Sequence, residues 1–487
     1  MRLVVPSKYQ HYLKYLFAIL FGIVGGYLLS KGGIIAAVGL MALPLVLVYV
    51  YYFARNPKIG LYTAFIIAFL IPTVGRYVPG NIPLGLGVDI SLVLTLIFLI
   101  LRDWQKVDFS GWNHIFSLLM IAWMAFVVLQ LANPMALSVP AWFYAMRGLS
   151  LYQMLMVIIA FVLFRDKKDF KTFVRVWLIF SVIGIAWGLK QKIFGLDPFE
   201  NRWLMSGAYV THLLFGKLRI FSFYTDAGIY GPAMGSVTIF CGILALGPFS
   251  LRKRIIYGLI AVFALYAMLI SGTRGALAVP GAGGILYLIL IKNKRLLIFG
   301  ATVMLFGFVF LKYTNIGSGN YDIQRLRSAL DPNDASLNVR VQNRKMLRAY
   351  LADKPLGTGV GSAGFWGQRF TPWTWMANFP TDGLYTRVRA ETGVIGYTIY
   401  VYTWIFLLVY GSWLCWNYKD REKRYYAMAA LANFAGILAA SYGNEILNQI
   451  PVNFTVLIPL AFVFTMKYWD EDGVYRIPEE RKNKVFK

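Results

Sequence analysis

A polar stretch of more than seventy residues, 312–385, interrupts a chain that is otherwise rich in hydrophobic residues. It ends in the string Asp382-Gly-Leu-Tyr-Thr-Arg387-Val-Arg389-Ala-Glu391, where two carboxylates and two guanidinium groups lie close together. A carboxylate can take a proton from a hydroxyl, and a guanidinium group binds phosphate in a bidentate manner. An insertion that carries such residues on a hydrophobic scaffold is where we expect chemistry.

Two further arginines lie beside hydrophobic runs. Ser271-Gly-Thr-Arg274-Gly is a turn between two such runs, with hardly a loop to hold the cation. A cation at membrane depth is costly unless it is paired or functional. Arg274 is therefore either a snorkelling residue in a tight turn or a cation at the mouth of a lipid-facing cavity. Arg219 has similar surroundings, and Asp226 is expected to cap the next helix or to pair with an arginine.

Residues 336–353 are predicted to form an amphipathic helix that ends before Pro355 and Gly357. Asp334 or Ser336 can cap its start. Its apolar stripe consists of Leu337, Val341, Leu347 and Leu351. Cations recur every fourth residue on a neighbouring face, at Arg340, Arg344 and Arg348. Such a row can lie along a membrane surface or point into a cleft.

The residues at the end of the polar stretch also have structural interpretations. Asp382 can cap a helix, and Glu391 can begin one, where an acid suits the positive end of the dipole. Gly393 and Gly396 allow close helix packing. Three tryptophans are either interfacial anchors or sugar-stacking surfaces: Trp366, Trp373 and Trp375.

Composition indicates an all-α polytopic membrane protein. The 487 residues are 58% hydrophobic, with a mean hydropathy of +0.59, whereas soluble domains are about 45–50% apolar. The net charge of +26 lies mostly in short clusters between hydrophobic runs. That distribution is typical of topology signals, so we expect a membrane lipid environment and no nucleic-acid partner.

Cysteine and histidine usage argues against a metal or a disulfide framework. Cys241 and Cys415 lie inside hydrophobic segments, and three isolated histidines show no metal-ligand spacing: His11, His114 and His212. We therefore expect no metal site and no cofactor.

About 12–14 transmembrane helices are predicted, because each needs roughly 20 mostly apolar residues. The candidates are 12–30, 32–53, 60–74, 86–101, 114–131, 149–164, 172–189, 227–247, 255–271, 275–291, 296–311, 391–413, 426–441 and 452–467. The first run lacks a cleavage site and leads directly into another span, so we expect it to be retained.

Placing the N-terminus in the cytoplasm makes every inner loop basic, which also places the C-terminus there and the polar stretch outside. The expected organisation is N-terminal transmembrane helices at 1–214, transmembrane helices with arginine-bearing outer turns at 215–311, a partly helical periplasmic loop at 312–390, C-terminal transmembrane helices at 391–467 and a cytoplasmic tail at 468–487.

The end of the loop resembles the signature of the O-antigen ligase and O-antigen (exopolysaccharide) polymerase superfamily of membrane glycosyltransferases. In that pattern a histidine, usually followed by asparagine, precedes a Gly-x-x-Gly that begins eleven residues later. Glu391, Gly393 and Gly396 fit in register, whereas Asp382 and Gly383 stand at the histidine and asparagine positions.

Three other segments of 215–415 are similar to family elements. The turn with Arg274 resembles a Ser-x-Arg-Gly element. The segment from Arg219 through Phe221 to Asp226 resembles the arginine-containing segment upstream of it. Pro355-Leu-Gly357-x-Gly359 resembles the glycine turn of the long periplasmic loop.

The resemblance implies a GT-C-like fold in a bacterial inner membrane and metal-independent glycosyl transfer at the periplasmic face. A polyprenyl-diphosphate-linked glycan is the implied donor, and a hydroxyl of a glycan or lipid is the implied acceptor. Asp382 would activate the acceptor with support from Glu391, and Arg274 would stabilise the leaving group. The diphosphate would be held by Arg219 and Arg274, with help from Arg340, Arg344, Arg387 or Arg389.

Other functions stay open at this point. Aspartate in place of histidine makes a repeat-unit polymerase or a protein O-glycosylation ligase as credible as an O-antigen ligase. Asp226, Asp382 and Glu391 could in principle gather around Mg²⁺. A lipid-linked glycan flippase also needs many helices and a cationic cavity, but we would expect internal repeats in one.

The topology yields a first prediction. Cysteines introduced at Ser318 and Ser362, in a chain whose own cysteines are replaced, should react with a membrane-impermeant thiol reagent in cells with a permeabilised outer membrane. Labelling that requires lysis of the inner membrane would overturn the orientation.

Overall fold

The structure is a computed structural model that describes residues 7–78, 85–103, 114–214, 216–319, 321–331 and 335–476. Within these ranges the chain is almost entirely helical, and the helices before the central turns are α1 (Ser7–Arg55), α2 (Lys58–Tyr77), α3 (Gly85–Asp103), α4 (Ile115–Leu129), α5 (Val139–Met146), α6 (Tyr152–Leu163), α7 (Lys167–Ile193), α8 (Pro198–Trp203) and α9 (Tyr209–His212). A π-helical segment, Arg147–Leu151, joins α5 to α6.

The later helices are α10 (Ala227–Ala245), α11 (Leu251–Ile270), α12 (Ala278–Leu290), α13 (Lys294–Tyr313), α14 (Tyr321–Arg327), α15 (Ala335–Tyr350), α16 (Gly364–Phe370), α17 (Trp375–Asn378), α18 (Leu384–Asn417), α19 (Arg421–Ala440) and α20 (Val452–Thr465). A 3-10 helix, Arg274–Leu277, leads into α12. Two short strands, β1 (Leu213–Leu214) and β2 (Lys217–Leu218), form an antiparallel hairpin in which Leu213 pairs with Leu218.

The protein is an all-α polytopic membrane protein, as predicted. Eight helices of the described residues are long and apolar enough to cross a membrane, and four shorter apolar helices accompany them. The predicted spans 12–30 and 32–53 belong to one helix, α1, which breaks at Gly33 (φ 52°, ψ −134°). Glycine adopts a positive φ without a Cβ penalty, and the break falls at a glycine near the start of the second predicted run.

Helices α12 and α19 pack against each other in antiparallel fashion through glycines. A Cβ on Gly283 would lie 2.5 Å from the Ala432 carbonyl oxygen, and one on Gly436 would lie 2.4 Å from the Val279 carbonyl oxygen. Small residues allow such close backbone approach between membrane helices. The start of α12 therefore lies beside the end of α19, at the end of the bundle that carries residues 314–383. We call this end the loop face and the opposite end the basic face.

The loop helix α15 confirms a helix within 336–353, but its apolar stripe is only partly as predicted. Leu347 and Leu351 are buried, whereas Val341 is 42% exposed; Leu337 and the proposed cap Asp334 lie outside the side chains that the structure describes. Leu347 and Leu351 pack with Met376 and Phe379 in a small core of the loop itself.

Gly357 of the loop and Gly393 of α18 lie in close contact and join the loop to this helix. Gly393 has a φ of 66° and interrupts the helix, and a Cβ there would lie 2.1 Å from the Pro355 carbonyl oxygen and 2.4 Å from the Gly357 nitrogen. The amides of Thr358 and Gly359 donate to the carbonyl oxygens of Ala390 and Glu391. We call this contact the glycine clasp.

Two expectations for the start of α18 are wrong. The helix begins at Leu384, so Glu391 lies in its second turn and does not begin it. Gly383, with a φ of 90°, occupies the N-cap position, where no side chain caps the helix. Asp382 precedes the cap because the tight contact of Gly383 with the Tyr442 carbonyl oxygen excludes a side chain at that point.

The clasp yields a second prediction. Gly393→Ala should destabilise the protein by roughly 1–3 kcal/mol, because the added methyl meets backbone atoms at a strained φ. Thermal unfolding of the purified protein in detergent measures this as a lower Tm. Gly281→Ala is the matched control, since its Cβ meets nothing within 4 Å in α12. Equal Tm values for the two variants would contradict the interpretation.

Candidate active site

Arg219 lies before α10 in the chain and donates hydrogen bonds to the turn between α11 and α12. Its Nη2 donates to Thr273 Oγ1 at 2.8 Å, its Nε donates to the Ser271 carbonyl oxygen at 3.3 Å, and its Nη1 donates to the Thr211 carbonyl oxygen at 2.9 Å. Thr273 Oγ1 in turn donates to the Ala227 carbonyl oxygen at 2.7 Å. Arg219 and the turn of Arg274 are thus brought together at the start of α10, as the two motifs imply.

Two more arginines join this turn. Arg274 is partly buried, and its Nη1 lies 3.4 Å from Ser328 Oγ. Arg325 reaches the same turn through its Nε, 3.5 Å from the Gly272 carbonyl oxygen. We call Arg219, Arg274 and Arg325 the arginine turn. Three guanidinium groups around one tight turn at the loop face form a site suited to a dense anion.

Asp226 caps α10, because its Oδ1 accepts the Ile229 amide at 3.0 Å. This is one of the two roles expected for it.

The neighbouring His212 is also structural. Its Nε2 accepts the Ala227 amide at 3.3 Å, so Nδ1 carries the proton, and it lies 2.9 Å from the Ala208 carbonyl oxygen. Burial lowers the pKa of His212, and the ring is neutral at pH 7.

Arg76 of α2 holds the segment that precedes Asp226. It donates to the carbonyl oxygens of Ser222 at 2.9 Å and of Thr225 at 3.1 Å, and also to that of Tyr224. Its guanidinium lies between the rings of Trp203 and Phe221, 4.3 and 4.5 Å from their centroids. Arg76 therefore fixes the backbone that carries Arg219 and Asp226 relative to the N-terminal helices.

Asp382 lies at the loop face beside the row of arginines on α15. Its Oδ2 is 3.6 Å from Arg340 Nε, which is an electrostatic contact longer than a hydrogen bond. The carboxylate is 53% exposed. Arg344 stacks over the ring of Tyr442 at 4.5 Å. The row of arginines thus points toward the segment after α19 and toward Asp382.

A cavity of about 1020 Å³ opens between α5, α16, α18 and the segment after α19. At its wall Arg387 bridges two carboxylates: Nε lies 3.0 Å from Glu391 Oε1, and Nη1 lies 2.5 Å from Glu445 Oε2. Glu391 is buried, whereas the Glu445 side chain is 22% exposed. The three charges sum to −1, so Arg387 does not present a net positive charge to the cavity.

Other polar and aromatic groups complete the cavity. Arg147, held by Asp89 and Tyr152, lines one side. The rings of Tyr144 and Trp366 stack with centroids 4.6 Å apart beside the exposed Arg369. Flat aromatic faces next to carboxylates and guanidinium groups suit a ligand that has both hydroxyl groups and apolar C–H faces.

Asn448 contributes an amide to the same cavity. Its Oδ1 accepts from Gln153 Nε2 at 2.7 Å and from the Tyr400 hydroxyl at 3.0 Å. These contacts join the segment after α19 to α6 and α18.

The segment 441–445 connects the three groups of residues. The Ser441 carbonyl oxygen accepts the Leu384 amide, two residues from Asp382. The Asn444 side chain lies 3.4 Å from a Cβ placed on Gly228, beside the Asp226 carboxylate. Glu445 enters the cavity. Segment 441–445 therefore contacts the backbone next to Asp382, the start of α10, to which Thr273 in the turn of Arg274 also bonds, and the cavity.

The remaining predicted residues are dispersed. Arg389 turns along its own helix, 5.7 Å from the ring of Tyr397. Asp226, Asp382 and Glu391 have separate partners, and among the residues that the structure describes no three acidic, histidine or cysteine side chains form a group for a metal ion. Of the tryptophans, Trp366 lines the cavity, Trp375 stacks on Tyr350 at 4.2 Å, and Trp373 is exposed.

Sequence reasoning missed Arg76, Arg147 and Glu445. It recognised Arg325 and Arg369 as cations of the polar stretch but did not select them as site residues. The rule that singled out Arg274, a cation beside an apolar run, applies equally to Arg76 and Arg147. Glu445 had a weaker signal, as an acid in a short loop between two apolar spans.

Comparison with known protein families bears on this site. Residues 259–401 match the family model of the O-antigen ligase. This match covers less than half of the chain and supports the O-antigen ligase superfamily. It supports a membrane glycan ligase- or polymerase-like function, and that family implies a lipid-linked glycan as substrate. The O-antigen ligase match includes Arg274, Asp382 and the Arg387–Glu391 pair, whereas Arg219 and Glu445 lie outside it. No curated protein matched the chain.

Proposed function

We propose that this protein transfers or polymerises a glycan from a polyprenyl-diphosphate-linked donor onto a hydroxyl acceptor at the periplasmic face of a bacterial inner membrane. The observation that carries the proposal is that segment 441–445 contacts the backbone next to Asp382, the start of α10 beside the arginine turn, and the polar cavity. An anion site, a carboxylate and a sugar-sized cavity are the three parts that such a transfer needs.

The diphosphate is assigned to the arginine turn. Arg219 and Arg274 lie where the expected motifs place them, and Arg325 adds a third guanidinium. Fixed cations stabilise negative charge that develops on a leaving group, and the bidentate guanidinium fork suits phosphate oxygens. Arg340 and Arg344 are further cations at the loop face, one beside Asp382 and the other over the ring of Tyr442. We do not assign Arg387 to the diphosphate site, because Glu391 and Glu445 already offset its positive charge.

The transfer step is a single displacement. The acceptor oxygen forms a bond to the anomeric carbon of the donor sugar, and the bond from that carbon to the diphosphate oxygen breaks. The hydroxyl proton passes to a carboxylate, and the electron pair leaves with the lipid diphosphate. Asp382 is our first choice as proton acceptor, because it is accessible and lies beside the cation of Arg340. No metal is required in this scheme.

The cavity is assigned to sugar residues. The stacked pair of Tyr144 and Trp366 can offer an outer ring face to a pyranose ring. The Glu445 carboxylate can accept hydrogen bonds from hydroxyl groups, and the Asn448 amide nitrogen can donate one. Glu391 supports this wall through Arg387 and does not contact Asp382. Transfer onto a hydroxyl of a protein would use the same chemistry and differ only in the acceptor.

A third prediction tests the leaving-group site. Arg274→Lys should lower glycan transfer strongly, because it keeps the charge and loses the fork; Arg274→Ala should lower it roughly a hundredfold or more. Transfer is measured with purified protein and lipid-linked donor at matched protein levels. Arg295→Ala, at the exposed start of α13 on the basic face, is the control that should keep full activity. Full transfer by Arg274→Ala would place the diphosphate elsewhere.

A fourth prediction distinguishes the two candidate carboxylates. Asp382→Asn should nearly abolish turnover with donor binding intact, since the isosteric amide cannot take up the proton. Glu445→Gln should mainly raise the KM for the acceptor glycan, because it alters a cavity wall. Loss of turnover in Glu445→Gln with only a KM change in Asp382→Asn would make Glu445 the base.

The same assay, run with and without EDTA, tests the metal-independent scheme. Activity that is lost in EDTA and restored by Mg²⁺ would contradict that scheme.

A further inference from the structure

A groove of about 590 Å³ runs between α7 and α11, away from the proposed active site. Its walls are apolar, and the side chains of Ile179, Val182, Ile183 and Ile256 are each between 45% and 52% exposed. Its floor near the basic face is aromatic, with Phe170, Tyr257 and Tyr426. The groove is thus continuous from the basic face into the apolar middle of the bundle.

The length of the groove matches one leaflet of a membrane. It follows α7 from Phe170 to Ile183, which corresponds to about 20 Å at 1.5 Å per residue. Half of a hydrocarbon core of roughly 30 Å plus the adjoining headgroup region has a similar length. A chain that enters from the basic face would therefore end near the bilayer centre.

Three cations from two helices converge at the basic end of this groove. Lys171 and Arg175 lie one turn apart on α7, and Lys253 lies at the start of α11. The acid beside them is Glu422, which is 3.2 Å from Lys171 and 2.7 Å from Lys167. Glu422 thus pairs with Lys171 and Lys167, and Asp169 pairs with Lys58, whereas Arg175 and Lys253 add two further cations to the mouth.

We propose that this groove binds one anionic glycerophospholipid, with its phosphate between Arg175 and Lys253 and one acyl chain along Val182 and Ile183. Basic residues that cap an apolar slot between transmembrane helices are suited to an acidic headgroup. Cations placed only as topology signals need not converge from two helices on one slot. The site is independent of the proposed transfer reaction, because it lies at the opposite end of the bundle from the arginine turn.

Native mass spectrometry of the purified full-length protein tests this, with phosphatidylglycerol or phosphatidylcholine of identical chains added to the detergent. Wild type should retain one phosphatidylglycerol in preference to phosphatidylcholine. Arg175→Gln with Lys253→Gln should weaken that retention about tenfold. Lys294→Gln with Arg295→Gln removes the same charge from exposed positions at the start of α13 and should leave retention unchanged.

A second pair of variants tests the slot with its charges intact. Ile183→Trp should fill the groove and release the lipid, whereas Ile289→Trp, at a position 61% exposed on α12, should not. Equal retention of the two lipids by wild type, equal loss in the control variants, or no effect of Ile183→Trp would each overturn the proposal. Preferential retention of a polyprenyl phosphate would also overturn it and assign the groove to the lipid of the donor.

Discussion

The close antiparallel approach of α12 and α19 is the constraint on which the candidate active site depends. Gly283 and Gly436 remove the side chains that would hold the two backbones apart. The turn of Arg274 then lies beside segment 441–445, although some 170 residues of chain separate them. The arginine turn and segment 441–445 both lie at helix ends, where the chain leaves the packed interior.

Buried charge is handled in two ways around the site. Arg387 is surrounded by two carboxylates, and replacement of Arg387 would leave both of them without compensation in a poorly solvated place. Arg76 is instead surrounded by backbone carbonyl oxygens and aromatic rings. The first arrangement stiffens a cavity wall, and the second anchors a loop. Arginine therefore has structural roles here as well as the proposed phosphate-binding role, and its presence in a motif does not by itself distinguish them.

The helices could be predicted from the sequence because a membrane span is a local property of about 20 residues. The pairing of Arg219 with the turn of Arg274 could be inferred only from the order of two short motifs. The pairing of Glu445 with Arg387 could not be predicted from the sequence. It results from the packing of α18 against α19, and no local sequence pattern reports that packing. The prediction that Val341 belongs to the apolar stripe of α15 was wrong for a related reason. The loop core forms around Leu347 and Leu351, so only a narrow part of the helix surface is buried.

Helix α13 has an unusual place in this molecule. All its residues are described, and none is buried. It leads directly into the loop, yet the glycine clasp and the arginine turn hold that loop by other contacts. A helix surrounded by lipid can change its tilt when bilayer thickness changes. A change in the tilt of α13 is therefore one way in which the protein can accommodate a different bilayer thickness without repacking α12 against α19.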